Sequence, residues 1–211
     1  MDKKVLPEKT VARLSEYRRT LLDCLSRGKT HIFSYEIAEL HHITAVQVRR
    51  DIMFLGYSSS GRRGYDIREL IRYIGRKIDY RGVLNVAVVG IGNYGRAISA
   101  YLKGKRQTME IVAGFDVNPV VIDKDYSGIP CYSLEKAKEI IKEKRIAIAI
   151  LTVPPGSAEE VADYLVECGI KGILNYTSVL LKVPDHVYLE EYDMITSLEK
   201  LAYYVKNSRK R

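Results

Sequence analysis

Cysteine is scarce in this chain of 211 residues: Cys24, Cys131 and Cys168 stand far apart, with no Cys-x-x-Cys pair and no histidine at ligand spacing. That pattern argues against a metal site and against a disulfide framework. Long apolar runs are missing too, none reaching the ~18 residues expected of a membrane span. The opening Met-Asp-Lys-Lys lacks the apolar segment of a signal peptide. We expect a cytoplasmic, soluble protein with no membrane or metal partner, whose thiols are reduced core residues.

What is present is globular. Apolar residues make up 46% of the chain, enough for proper cores, and the length allows one large or two small domains on a prior of ~100 to 200 residues each. The net charge of +8 is unevenly placed. Residues 1–80 hold 16 Lys and Arg against 10 Asp and Glu, residues 81–205 hold 14 against 16, and the tail adds Lys206, Arg209, Lys210 and Arg211. Such an excess can attract a polyanion such as DNA, or merely solvate a small helical domain.

The first eighty residues read as helices. Residues 8–26 place Val11, Leu14, Leu21, Leu22 and Leu25 at helical spacing, with Gly28 as a stop signal. Ser34 is positioned to cap a second helix with Ile37, Ala38 and Leu40 on its buried side. A third, from candidate N-cap Thr44 to Leu55, puts Val48, Ile52 and Leu55 on one face, so that Gln47, Arg49 and Arg50 point outward. Two short helices in tight succession, the second presenting Gln and Arg, match a helix-turn-helix. Gln can pair with adenine and Arg with guanine, and any Arg can grip phosphate. Between Gly56 and Tyr65 a Gly-rich basic loop carrying Arg62 and Arg63 lies between segments that could pair as a hairpin, and it reads as a wing reaching phosphates or the minor groove. The bland alternative is a solvated loop and ordinary surface charge. A further helix spans Ile67 to Ile78, and a domain boundary is expected near residue 80.

The stretch Val86 to Gly95 is an apolar run ending in Gly-Ile-Gly-Asn-Tyr-Gly and opening a helical pattern over Asn93–Leu102. Gly90 suits a tight turn, Gly92 a close approach to pyrophosphate and Gly95 close helix–strand packing, with Ile91, Asn93 and Tyr94 between them. A second apolar strand, Ile111 to Phe115, ends in Asp116, 21 residues past Gly95 and near the ~20 expected of an acid that binds the adenosine ribose. No Arg follows it directly, which favours NAD(H) over NADP(H). Further α/β alternation follows: a helix over 133–144, a strand over 146–152, a helix over 157–168 and a strand near Ile173. This predicts a doubly wound parallel sheet. Thr152, Val153, Pro154 and Pro155, and then Asn175, Tyr176, Thr177 and Ser178, fall just past strand ends, where such sheets bind ligands. A strand over 187–189 and a terminal helix with Ile195, Leu198, Leu201, Ala202 and Val205 complete the pattern. That helix packs on its own domain or on a partner; dimer formation is favoured because helix-turn-helix proteins often occupy two half-sites.

Five segments together resemble the Rex family of redox-sensing transcriptional repressors: Thr-Ala-Val-Gln-Val-Arg-Arg-Asp at 44–51, Gly-Ile-Gly-Asn-Tyr-Gly at 90–95, Phe-Asp-Val-Asn-Pro at 115–119, Leu-Thr-Val-Pro at 151–154 and Gly-Ile-Lys-Gly-Ile-Leu-Asn-Tyr at 169–176. The resemblance covers nearly the whole chain. It implies a winged helix-turn-helix domain over 1–80, a Rossmann NAD(H)-binding domain over 81–190 and a dimer-exchanged helix with a basic tail over 191–211. It further implies a homodimer that binds palindromic double-stranded operator DNA and releases it on binding NADH, while NAD+ competes without doing so. By position, Tyr101, Asp193 of the other subunit and Arg19 would link nicotinamide state to DNA binding. Two departures stand out. Ser59 and Gly61-Arg62-Arg63 alter the family's wing, and Thr177-Ser178 replaces its usual Ala-Pro.

The competing reading is an NAD-dependent oxidoreductase with an N-terminal helical appendage. Hydride transfer usually needs an acid or base beside the substrate carbonyl. Only His186 follows the glycine motif among the histidines, and no separate substrate domain follows the sheet. A CoA-binding or purely structural nucleotide fold leaves the basic N-terminal segment unexplained. The regulator reading therefore takes precedence, with no catalytic residue assigned.

Overall fold

In the computed structural model, which describes residues 5–58, 63–105 and 108–208, the chain separates into two units at Tyr80/Arg81. The first contains α1 (Glu8–Ser26), β1 (His31–Ile32), α2 (Ser34–Leu40), α3 (Ala45–Met53), β2 (Tyr65–Asp66) and α4 (Ile67–Ile78). Its core gathers Leu14, Tyr17 and Leu21 of α1, Ile37 of α2, Val48 and Ile52 of α3, and Ile67, Leu70 and Ile74 of α4. These positions recur three or four residues apart, so each helix presents one apolar stripe.

Several local expectations are corrected. Val11, Leu22 and Leu40 are exposed: in α1 the buried line runs through Tyr17 and Arg18 instead, because a 3.6-residue period carries Val11 and Leu22 off the face shared by Leu14 and Leu21. Ser34 is the first residue of α2 rather than its cap. Glu36 reaches back to accept from the Phe33 amide at 2.8 Å, and Ser34 Oγ instead accepts from Arg49 at 3.1 Å. Thr44 does cap α3, accepting from the Gln47 amide, but the helix stops at Met53, leaving Leu55 buried in the turn beyond it.

The hairpin expected across the basic loop falls partly on residues 59–62, and among the described residues a different pairing is formed. Tyr65 and Asp66 pair antiparallel with Ile32 and His31, while Tyr57 packs into the core against the rings of Tyr65 and Tyr73. Gly64 makes that strand pairing possible: it has φ +83°, and a Cβ there would lie 2.6 Å from the Ile32 carbonyl oxygen. Ser59, Gly61 and Arg62 lie outside the described residues.

One polar group is enclosed by this unit. Asp51, fully buried on α3, accepts from Arg13 Nε at 2.6 Å and Nη2 at 2.7 Å. It also accepts from Tyr17 Oη at 2.8 Å and from Gln47 Nε2 at 3.0 Å. The two-pronged bond to Arg13 joins α1 to α3 and raises the Arg13 pKa, and burial together with Asp51 raises that of Tyr17.

The second unit is a six-stranded parallel sheet in the order β5-β4-β3-β6-β7-β8. Its strands are β3 (Leu84–Val89), β4 (Met109–Asp116), β5 (Cys131–Ser133), β6 (Ile146–Leu151), β7 (Gly172–Asn175) and β8 (Tyr188–Glu191). Counted within the sheet this is 3-2-1-4-5-6, the Rossmann order, with its switch point between β3 and β6. Alternate side chains of β3 enter opposite layers. Ala87 and Val89 pack with α6 (Ala137–Glu143) and α7 (Ala158–Glu167), whereas Val86 and Val88 pack with Ile98 of α5 (Asn93–Leu102). Burial on both faces explains the unbroken apolar run.

Strand β5 was not foreseen. The helix expected over 133–144 begins as a short 3-10 turn at Leu134–Lys136 and becomes α-helical only at Ala137. Cys131 and Cys168 are buried, Cys24 is half-buried, and all three are free thiols; burial pushes the Cys131 thiol up to about 11. The last element, α8 (Met194–Ser208), exposes Ile195, Leu198, Leu201 and Val205. Among the described residues no helix is long and apolar enough to cross a membrane.

Removing Arg13 leaves the buried Asp51 carboxylate without its cationic partner. We expect Arg13→Ala to destabilise the first unit by about 3 kcal/mol, the low end for breaking a buried pair because Arg13 itself is partly exposed. Urea unfolding followed by circular dichroism measures it, and a change under 1 kcal/mol would contradict the role given to this pair.

Candidate functional site

Strand β3 ends at the switch point, and its exit is shaped by two glycines. Gly90 has φ +93°, and a Cβ there would meet the Thr152 carbonyl oxygen at 2.8 Å; a Cβ on Gly95 would lie 2.0 Å from the Gly90 carbonyl oxygen. Thr152, just past β6, ties the two strands together by donating its hydroxyl to the Gly90 carbonyl at 2.7 Å, while its amide donates to Val89. Gly92 is different. It precedes α5 as its N-cap at φ −73°, with nothing within 4 Å of a would-be Cβ.

Gly92, Asn93 and Tyr94 at the start of α5 are exposed, and the helix start has no side-chain cap. Such a helix start suits a pyrophosphate. Asp116 ends the neighbouring β4. Its carboxylate accepts from the Ile91 amide at 2.7 Å and the Asn118 amide at 2.8 Å, holding the glycine loop against the strand. A carboxylate has about four acceptor positions, so two remain for ribose hydroxyls. The residues present thus fit a dinucleotide.

On the other side of the switch point, Val153 is half-buried and Pro154 exposed. Pro154 precedes a 3-10 turn over Pro155–Ser157 that leads into α7. The loop after β7 is internally braced. Asn175, fully buried, donates to the Val179 carbonyl and to Glu191, and accepts from the amide and hydroxyl of Thr177. Glu191 also accepts from the Leu181 amide. The Asn175 and Thr177 side chains are committed to this loop, and what they offer a ligand is the shape they impose on it. Ser178 alone of the two expected hydroxyls is exposed.

Tyr176, between those two residues, has its ring 5.5 Å from Tyr94 and 4.9 Å from Tyr192. Burial raises the pKa of Tyr176, with smaller contributions from Tyr94, Tyr192 and Tyr101. Tyr101 is exposed at the end of α5, with Lys105 over its ring. Asp193 caps α8, accepting from the Thr196 hydroxyl, the largest cause of its lowered pKa, and from the amides of Thr196 and Ile195. Sequence reasoning singled out Thr152 but passed over Tyr192 and Glu191, whose partners Tyr176 and Asn175 each lie 16 residues earlier in the chain.

His186 is exposed before β8, at the end of the parallel sheet where strands begin. The glycine loop lies at the opposite end, where strands finish. A proton donor there cannot serve a reaction at the nucleotide.

In the first unit α2 and α3 are joined by residues 41–44, where His42 takes φ 52°. Arg49 and Arg50 are exposed, as is Arg63, while Thr44 is spent on its cap and Gln47 is half-buried against Asp51. Arg19 is exposed on α1. Asp51 and Arg13 were missed, although an acid at position 51, three residues from Val48 and next to Ile52, falls on the apolar side of the helix and signals a buried partner.

Comparison with known proteins matches both units. A family model described as putative DNA-binding protein N-terminus covers residues 5–52, and one described as CoA binding domain covers residues 83–179. The redox-sensing transcriptional repressor Rex of Leuconostoc citreum is 36% identical over 202 residues, spanning 96% of this chain and 94% of that protein. The chain belongs to the Rex family. The Rex of Lactobacillus acidophilus is 32% identical over 209 residues, 99% of each chain. Among solved structures, the Rex-family repressor RSP in complex with beta-NAD+ and operator DNA superposes with a TM-score of 0.89 at 29% identity, covering 98% of this chain and 95% of that one. RSP in complex with beta-NADH gives 0.87, covering 98% and 97%. The Rex architecture of a helix-turn-helix unit followed by a Rossmann unit is thus the architecture of this chain.

The glycine geometry separates packing from access. Gly95→Ala is expected to cost about 1 to 3 kcal/mol by overpacking, whereas Gly92→Ala should leave stability within about 0.5 kcal/mol. Chemical denaturation of both variants tests this, and equal losses would contradict it.

Proposed function

We propose that this chain is a homodimeric, NAD(H)-responsive transcriptional repressor that acts in the cytoplasm, binds a palindromic double-stranded operator and releases it when NADH binds. The observation that carries this is the union, in one chain related over its full length to Rex repressors, of a helix-turn-helix exposing Arg49 and Arg50 and a Rossmann switch point with a free glycine-lined helix start. NADH and NAD+ are the ligands, held by residues 90–95, Asp116, Val153, Pro154 and the braced loop at Asn175, Tyr176 and Thr177. When bound, the nicotinamide supplies the redox signal, and no chemistry on a substrate is required of the protein. His186, at the wrong end of the sheet, argues against a dehydrogenase.

Operator contacts are assigned to Ser34, Thr44, Gln47, Arg49, Arg50, Arg62 and Arg63. The exposed apolar residues of α8 are the surface a second copy would cover, as burying Ile195, Leu198 and Leu201 removes them from water. The triad of Arg19, Tyr101 and Asp193 is the proposed coupling between units, with Asp193 supplied across the dimer. The Thr177-Ser178 departure acts through the geometry of the braced loop, since Thr177 already spends its hydroxyl within it.

Two experiments test the reading. Titration of a wild-type complex with duplex DNA, at fixed salt because phosphate contacts are salt-sensitive, should show release by NADH and none by NAD+. No duplex binding in any cofactor state, or steady turnover of a 2-hydroxy acid, would falsify it. Asp116→Ala and Gly92→Ala should each weaken NADH by roughly tenfold or more, the scale of one hydrogen bond to a charged group, while DNA binding without cofactor persists. Calorimetric NADH affinities unchanged in both variants would remove the glycine loop from the site.

A further inference from the structure

The buried carboxylate of Asp51 has a consequence for how α3 could read DNA. It is an acceptor with no donor of its own, so the group of Gln47 that faces it at 3.0 Å must be the amide nitrogen. Gln47 Oε1 therefore faces away, and among the described residues it has no hydrogen-bond partner. The same residue is held at its backbone, where its amide donates to the Thr44 hydroxyl at 3.2 Å. Asp51 is in turn fixed by Arg13 and Tyr17 of α1, so the chain of contacts runs from the rigid core to a half-exposed carboxamide on the helix that carries Arg49 and Arg50.

We propose that Asp51 is a positioning residue for sequence reading by α3, acting through Gln47, whose carboxamide it holds in one of its two orientations. This rests on the repressor reading above. A carboxamide free to rotate by 180° offers a base edge either donor-then-acceptor or the reverse, and it discriminates poorly. Held in one orientation it presents the oxygen and the second amide proton in fixed order, the pattern that suits adenine N6 and N7. Replacing Asp51 by Asn removes that constraint, because an amide can pair with either end of Gln47, while the side-chain volume is kept.

The test selects a palindromic duplex on the wild-type full chain from a randomised library, then measures affinity for every single base-pair substitution of it at one salt concentration. Wild type should lose on the order of tenfold at one base pair that Gln47→Met no longer distinguishes. Asp51→Asn should flatten the same base pair to within about twofold, keep its discrimination elsewhere, and bind unrelated duplex as wild type does. The double variant should show no further loss. A uniform weakening across all positions, or a normal profile in Asp51→Asn, overturns the proposal. A wild-type chain that enriches no duplex overturns the repressor reading itself, and the proposal with it.

A measurement on the unsubstituted side chains covers the case in which Asp51→Asn does not fold. The Gln47 side-chain amide, assigned by its disappearance in Gln47→Met, should give an ordered NH2 signal with one proton displaced from the range of solvent-exposed glutamines. A mobile NH2 within that range overturns the proposal.

Discussion

The second unit depends on a single close approach: the Gly90 carbonyl passes so near to Gly95 that no side chain fits between the end of β3 and the start of α5. That contact fixes the angle at which the helix leaves the sheet, and therefore where its unpaired amides point. Thr152 and Asp116 secure the turn from the strands on either side. Gly92, released from any packing duty, leaves the approach to those amides open. Three glycines in six residues thus divide into two that permit packing and one that permits access, the division expected from their order in the motif.

The first unit is organised around a charge. A carboxylate with no exposure would be costly by itself, and it is tolerated because Arg13, Tyr17 and Gln47 together meet its lone pairs. The pair joins the long α1 to α3 in a way apolar contact does not, since hydrogen bonds have direction and apolar packing largely does not. A helix meant to enter a DNA groove benefits from being held to one angle. Arg49 and Arg50 occupy the exposed side of α3 and Asp51 its buried side.

At the strand ends beside the glycine loop, the described side chains pair largely with one another. The ring of Tyr176 packs against those of Tyr94 and Tyr192, and burial raises the pKa of Tyr94 and Tyr176. The loop after β7 spends its polar side chains on itself. The chain belongs to the Rex family, in which the repressor RSP has been solved in complex with beta-NAD+ and operator DNA and with beta-NADH.

Much of this was legible in the chain. The run from Val86 to Gly95 and the acid at Asp116 specified strand, turn and helix, because each rests on neighbours close in sequence: alternation, a φ only glycine adopts easily, an acid at a strand end. The helices of the first unit were legible for the same reason. What only the tertiary structure decided involves partners far apart. Tyr65 pairs with Ile32 rather than across its own loop, Leu40 faces water, Asn175 is bound by Glu191, and Asp51 meets Arg13 from 38 residues away. Local preference determines which element forms, whereas the burial of a polar group is settled by whatever donor the rest of the fold brings to it.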